Sequence, residues 1–197
     1  PKSDDYRKML DEAKPDAVVI STPHTLHTEQ VLECFSRGIH VLVDKPMVTS
    51  VADAHKVISA RDRSGKQGMV SYQRHTQGEF RFIRETVASG RYGTVQCLQA
   101  SLSQEWKRAT NGSWRQDPAL SGGGQLNDSG SHMLDIILWA TGLKASRVAA
   151  FCDNRGTPVD INSTLAIEFE GGAQGSICIA GDAPGWNEDI TIWCERA

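Results

Sequence analysis

A threefold alternation of strand and helix patterns in the first third narrows the fold more than anything else in this chain. "AVVIST" (17–22) is an unbroken β-branched run, and the helix pattern "TLHTEQVLECFSRG" follows it as far as Gly38. "IHVLVD" (39–44) is a second run, followed by "SVADAHKVISARDRSG", and "GMVSYQ" (68–73) is a third. Strands that are apolar on both faces need cover on both. An amphipathic helix after each strand supplies it, which predicts a parallel sheet. Thr25 is the expected cap of the first intervening helix. Ser50, with Asp53 three residues on, is the expected cap of the second. A further helix, "YRKMLDEA", precedes the first strand. It is expected to be capped by Ser3, to turn Tyr6, Met9 and Leu10 inward, and to stop before Pro15.

Beyond residue 75 the pattern changes. A helix is expected over 78–89 with Phe80, Ile83 and Val87 on one side, then an alternating strand over 94–106. Four strand patterns close the chain: "ASRVAAFCDN", "INSTLAIEFE", "AQGSICIAG" and "DITIWCE". "EGGAQG" reads as a hairpin turn. Strands that follow one another without helices predict an antiparallel sheet. The fold class is therefore α/β plus α+β: a partial doubly wound parallel sheet over 1–75, then a mostly antiparallel open sheet over 76–197.

Composition excludes several classes. The 197 residues are 39% hydrophobic and 23% charged, with a net charge of −3, which gives no basis for binding nucleic acid or an acidic membrane. No apolar run approaches the ~18 residues of a membrane span, and no signal peptide heads the sequence, so a cytoplasmic location is expected. The five cysteines are far apart, odd in number and mostly within apolar runs. They are expected to be buried, reduced thiols.

The residues with chemical potential gather at the ends of the first three strands and in one helix. Ligands of parallel sheets bind at the carboxyl ends of the strands, which here read "STPHTLH" (21–27), "VDKPM" (43–47) and "SYQRH" (71–75). Lys45 directly follows a strand, and Pro46 keeps it out of helical geometry. A lysine fixed there can hydrogen-bond a substrate hydroxyl and offset a developing alkoxide; a salt bridge with Asp44, or simple solvation, would serve a lysine equally. His24 and His27 stand three apart, but no further ligand falls at metal spacing, and no metal is expected. Free N–H groups in that loop suit a dinucleotide better, though capping by Thr25 would explain the loop as well. Gln73 and Arg74 sit at the third strand end.

The stretch "SGGGQLNDSGSHMLDIILWATG" (121–142) sets three glycines before a helix. Gly130, Met133, Leu134, Ile137 and Leu138 form its expected core face, and Asp128, His132, Asp135 and Trp139 a separate stripe. With the helix counted from Asp128, His132 lies in its first turn, where the dipole disfavours imidazolium. Asp128 would fix the ring's tautomer, giving an oriented neutral base for an alcohol proton. An N-cap aspartate with a surface histidine fits the same letters. The glycines permit close backbone approach or positive φ. Trp106, Trp114 and Arg115, with Lys107 and Arg108, could line a polyol site in the loop ahead.

Taken together, "PHTLH" (23–27), "GIHVLVDKP" (38–46), "QR" (73–74), "WRQDPALSGGG" (114–124) and "GGGQLNDSGSHMLD" (122–135) resemble, in order and spacing, the motifs of the Gfo/Idh/MocA family of NAD(P)-dependent oxidoreductases. The resemblance implies oxidation of a secondary alcohol on a sugar or polyol, with NAD or NADP as cofactor. It assigns Lys45, Asp128 and His132 as catalytic. Ser21, Thr22, Pro23, His24, His27, Asp44, Lys45, Gln73 and Arg74 would contact the cofactor. Lys45, Trp114, Arg115, Asp128 and His132 would contact substrate. It further implies a cis peptide before Pro46, glycines that bring backbone close to the nicotinamide, and a homo-oligomer paired through the antiparallel sheet. Asp44 stands where the family has Glu, a carboxylate of shorter reach. The family's opening strand, G-x-G-x-x-G turn and ribose selector have no counterpart here. The chain thus reads as the middle of such an enzyme, expected to bind dinucleotide weakly and not to turn over by itself. NAD-assisted glycoside cleavage, a non-catalytic dinucleotide or sugar sensor, and an interaction remnant are the competing functions.

Overall fold

A computed structural model describes residues 2–197, which divide into two compact units, one running to Ser71 and one spanning Tyr72–Ala197. In chain order the first unit contains α1 (Tyr6–Ala13), β1 (Ala17–Ile20), α2 (His27–Ser36), β2 (His40–Val43), α3 (Val51–Ser64) and β3 (Gly68–Val70). The three strands pair in parallel in the order β1-β2-β3. Ile20, Val43 and Val70, the last residue of each strand, lie side by side in the register. The three carboxyl ends therefore share one edge. Val31, Phe35, Val41 and Val43 belong to the buried cluster of this unit, with Leu10 of α1 included and Tyr6 and Met9 packed against it.

Two expected caps shift. Asp5, not Ser3, caps α1, its carboxylate accepting from the N–H groups of Arg7 and Lys8. A carboxylate at that position neutralises more of the helix end than a hydroxyl does. Thr25 is not the cap of α2: a 3₁₀ turn over His24–Leu26 runs straight into the helix, which has no side-chain cap. Ser50 does cap α3, accepting from the Asp53 N–H and donating to the Asp53 carboxylate.

The second unit contains α4 (Gly78–Ala88), β4 (Val95–Ser103), the short helices α5 (Trp106–Ala109) and α6 (Pro118–Ser121), the long helix α7 (Gln125–Thr141), then β5 (Ala145–Asp153), β6 (Asn162–Phe169), β7 (Gln174–Ala180) and β8 (Asn187–Cys194). Its sheet runs in the order β5-β6-β7-β4-β8. Every pairing is antiparallel except β4 with β7, which the chain reaches by a crossover through α7. One face carries Leu98, Leu102, Leu165, Ile167, Ile177 and Ile179 against Met133 and Ile137 of α7.

The helix also packs along α4. A second stripe, Ile136 and Ala140, is therefore buried, while Leu138, expected in the core, is 38% exposed. The cysteines need a larger correction. Cys34 alone is buried; Cys97, Cys152 and Cys178 are exposed and Cys194 is intermediate, all as free thiols. An apolar run in a period-two strand does not say which of its residues face out. No helix among the described residues is long and apolar enough to cross a membrane.

Candidate functional site

The first unit contributes the strand-end edge. Ser21 is exposed, and Thr22, Pro23, Asp44 and Lys45 are intermediate, so this edge presents hydroxyls, a carboxylate and an ammonium group together. The Asp44 N–H donates to the Ile20 carbonyl and the Ser71 N–H to the Val43 carbonyl, which extends the ladder just past the strands. Asp44 turns its carboxylate back to accept from the Lys45 N–H at 2.8 Å. The Lys45–Pro46 peptide is cis.

The two histidines expected at the cofactor are both buried. His24 is 4% exposed and His27 fully buried. The His27 ring lies between two backbone carbonyls, with Nδ1 2.9 Å from the Pro46 oxygen and Nε2 2.9 Å from the Thr22 oxygen. Its side chain is thus a clamp between the loops after β1 and β2, and does not face a ligand. Thr22 completes that loop by donating to Gln30.

The second unit carries the other residues. Gln73–Thr76 form a 3₁₀ turn that belongs to this unit, whereas the sequence places Gln73 and Arg74 at the end of the first. Gln73 is exposed. Arg74 is 8% exposed and makes a bidentate pair with Glu188, its Nη2 at 2.7 Å. Its guanidinium is committed to β8, not to a cofactor. Lys107 and Arg108 pair with Asp182 and Glu105, and Trp106 is a core residue beside Val159 and Ile161. Trp114 and Arg115 stay half-buried, the guanidinium 4.5 Å above the indole.

Helix α7 assembles the chemistry. Asp128 is 5% exposed, and its Oδ2 accepts from Trp106 Nε1 at 2.9 Å and Arg115 Nε at 3.2 Å. Two such donors fix a buried carboxylate in direction. His132 follows one turn later, with the Tyr72 ring edge-on at 5.8 Å. Because α7 begins at Gln125, Asp128 occupies the first turn and His132 the second. The dipole therefore bears on His132 less than the sequence count suggests.

The glycines act on the helix start. Gly122 takes φ +68° as the C-cap of α6, and a Cβ on Gly124 would stand 2.0 Å from the Asp160 carbonyl oxygen. The close approach is thus to Asp160, where the resemblance implies a nicotinamide. The Asp160 carboxylate takes the N–H groups of Gly124 and Leu126 at 2.7 and 2.8 Å, and its carbonyl takes that of Gln125.

Sequence reasoning gave no role to two neighbours, His75 and Tyr72. His75 Nε2 lies 2.7 Å from Asp135, stacks on Trp139 at 4.5 Å, and has Tyr72 on a parallel plane at 6.2 Å. Burial pushes the Asp135 carboxyl above its ordinary range, with His75 and Arg74 opposing it. Burial also raises the Tyr72 phenol. The i, i+4 spacing of Asp135 and Trp139 on the Asp128–His132 stripe was the available signal. No group of residues among those described has the makings of a metal site.

The description "Oxidoreductase family, NAD-binding Rossmann fold" matches residues 1–72, and "GFO/IDH/MocA C-terminal domain" matches 80–197. The chain belongs to the GFO/IDH/MocA oxidoreductase family. Levoglucosan dehydrogenase of Pseudarthrobacter phenanthrenivorans is 23% identical over 95% of this chain and 55% of its own length. Inositol 2-dehydrogenase of Streptomyces avermitilis is 29% identical over 71% of this chain and 38% of its own. The chain thus spans about half or less of these curated relatives. The WlbA dehydrogenase from Bordetella pertussis, solved with NADH and UDP-GlcNAcA, superimposes with a TM-score of 0.89 at 25% identity, covering 98% of this chain and 59% of that one. The first unit is accordingly the NAD-binding Rossmann element of the family, and the aligned strand ends with their hydroxyl, carboxylate and ammonium groups fit such a dinucleotide.

Proposed function

We propose that the protein is an NAD(P)-dependent dehydrogenase of a secondary alcohol on a sugar or cyclic polyol. The observation that carries this reading is the fixed Asp128 carboxylate one turn before His132 on α7, in a chain of an oxidoreductase family. The nicotinamide, when bound, supplies the hydride acceptor. His132 takes the hydroxyl proton. Asp128, with its other duties fixed by Trp106 and Arg115, steadies the charge that the ring acquires. Lys45 binds the alcohol oxygen and offsets its developing negative charge. Ser21, Thr22, Pro23, Asp44 and Lys45 hold the cofactor. Trp114 and Arg115 offer an aromatic face and a fork of donors to substrate hydroxyls. Names of relatives such as levoglucosan and inositol dehydrogenases support the polyol class. The outer face of the second unit's sheet pairs two copies.

The test is a screen of sugars and cyclic polyols for NAD+ or NADP+ reduction by the protein; turnover there overturns the expectation that the chain is inactive by itself. Substituting Lys45→Ala or His132→Ala should lower turnover by ~10²–10⁴, while dinucleotide binding, read by fluorescence, survives His132→Ala. Turnover indifferent to His132→Ala sinks the assignment. Net accumulation of reduced cofactor separates a dehydrogenase from glycoside cleavage, in which the cofactor is regenerated.

A further inference from the structure

The positive end of α7 is closed by the chain itself. Asp160 comes from the β5–β6 connection, 36 residues beyond Gly124, and its carboxylate spans the N–H groups of Gly124 and Leu126. Its carbonyl accepts from Gln125, and Gly124 lets the two backbones touch. Three of the helix's free N–H groups are thereby taken by one residue. A full negative charge then sits where the macrodipole is most positive.

We propose that Asp160 is a positioning residue for His132: its carboxylate sets the start of α7 and keeps the ring a stronger base than the helix end alone would allow. From Leu126 to His132 is six residues, ~9 Å of rise, and helical side chains lean back toward the N-terminus. At that range a charge acts through space without contact. The inference rests on the role given to His132, but its readout does not require turnover.

Other charges bear on the same ring. Asp128 lies one turn before it and Asp135 three residues after. Tyr72 faces it edge-on, with His75 bound to Asp135 and Arg115 to Asp128. Asp182, next to Gly181, is paired with Lys107 and Arg155. None of these residues is changed by Asp160→Asn, which keeps one acceptor and removes the charge together with the second acceptor.

The experiment is an NMR titration of the His132 ring in the whole chain, wild type against Asp160→Asn, with Asp160→Glu as the charge-retaining control. The neutral variant should lower the midpoint by ~0.2–0.7 pH unit, and the glutamate variant should stay near wild type. Asp160→Ser, neutral and smaller, carries the same expectation if the amide variant does not fold. In the wild type the Gly124 and Leu126 amides must be protected from hydrogen exchange; free exchange there overturns the proposal outright. Equal midpoints in wild type and a folded neutral variant overturn the coupling and leave the catalytic role of His132 standing. Turnover indifferent to His132→Ala would remove that role without touching the titration.

Discussion

Gly122 and Gly124 look alike in the sequence and do different work. Gly122 adopts φ +68°, where a side chain would meet its own backbone. Gly124 has a negative φ of −102°, but a Cβ there would fall 2.0 Å from the Asp160 oxygen and 2.6 Å from its nitrogen. Neither backbone atom can swing aside as a side chain can. Gly122→Ala should therefore cost about 1–2 kcal/mol, and Gly124→Ala about 3 kcal/mol, with the cap disturbed as well. Urea unfolding of the two variants checks the order; equal losses would mean that the Asp160 contact gives way easily. The triplet was legible as a demand for glycine. Which glycine answers to what was not, because the partner of Gly124 is remote in sequence. His27 shows the same limit: its letter suggests a ligand, and only the fold shows two carbonyls closing on the ring.

At the scale of an element, α7 shows how far periodicity carries. The apolar spacing identified the helix and most of the face that meets the sheet. It misjudged Leu138 and Ile136, since one amphipathic stripe does not reveal a helix covered on a second side by α4. The polar stripe was read correctly as a row, yet Asp135 and Trp139 turned out to receive His75 from a turn 60 residues away. That pairing has a pH signature. Burial raises the Asp135 carboxyl, and His75 and Arg74 pull it back. Removing the imidazole by His75→Ala leaves burial less opposed, so the carboxyl should titrate higher still. A carboxyl raised in the folded state favours folding below its unfolded range, and this support is lost as pH rises through the folded value. The stability of His75→Ala should hence fall more steeply than wild type as the pH is raised from about 4 to 7. Thermal melts across that range measure it, with the ¹³C shift of the Asp135 carboxyl as a direct readout. Parallel slopes would mean that Arg74 carries the opposition.

For the molecule as a whole, the change from a parallel to a mostly antiparallel sheet was written in the spacing of strand and helix patterns. The insertion of β7 between β6 and β4 was not, because strand order depends on long-range pairing. The register also decides what the second sheet shows to solvent. Its outer face is built of rows: Phe151, Thr164, Cys178, Ser101 and Asp189 across the five strands, then Ala149, Ala166, Ser176, Gln99 and Thr191. The second row carries no charge and is mostly small, and Phe151 at the sheet edge is 82% exposed. A flat face of small side chains can approach a second sheet at the ~10 Å spacing of face-to-face packing. Two of the three exposed cysteines of this unit, Cys97 and Cys178, lie on this face, which fits a surface covered in the assembled protein. If two copies pair through this face, Ala166→Asp buries an uncompensated carboxylate at its centre. Two-fold pairing brings a like charge close to it. Association should weaken by ~100-fold or more, while the fold is kept, because Ala166 points away from the core. Analytical ultracentrifugation of wild type and variant decides the matter. A wild-type dimer that the aspartate dissolves places the interface on these rows. A dimer that survives the aspartate places it elsewhere, and a wild-type monomer removes pairing through this face from the proposal.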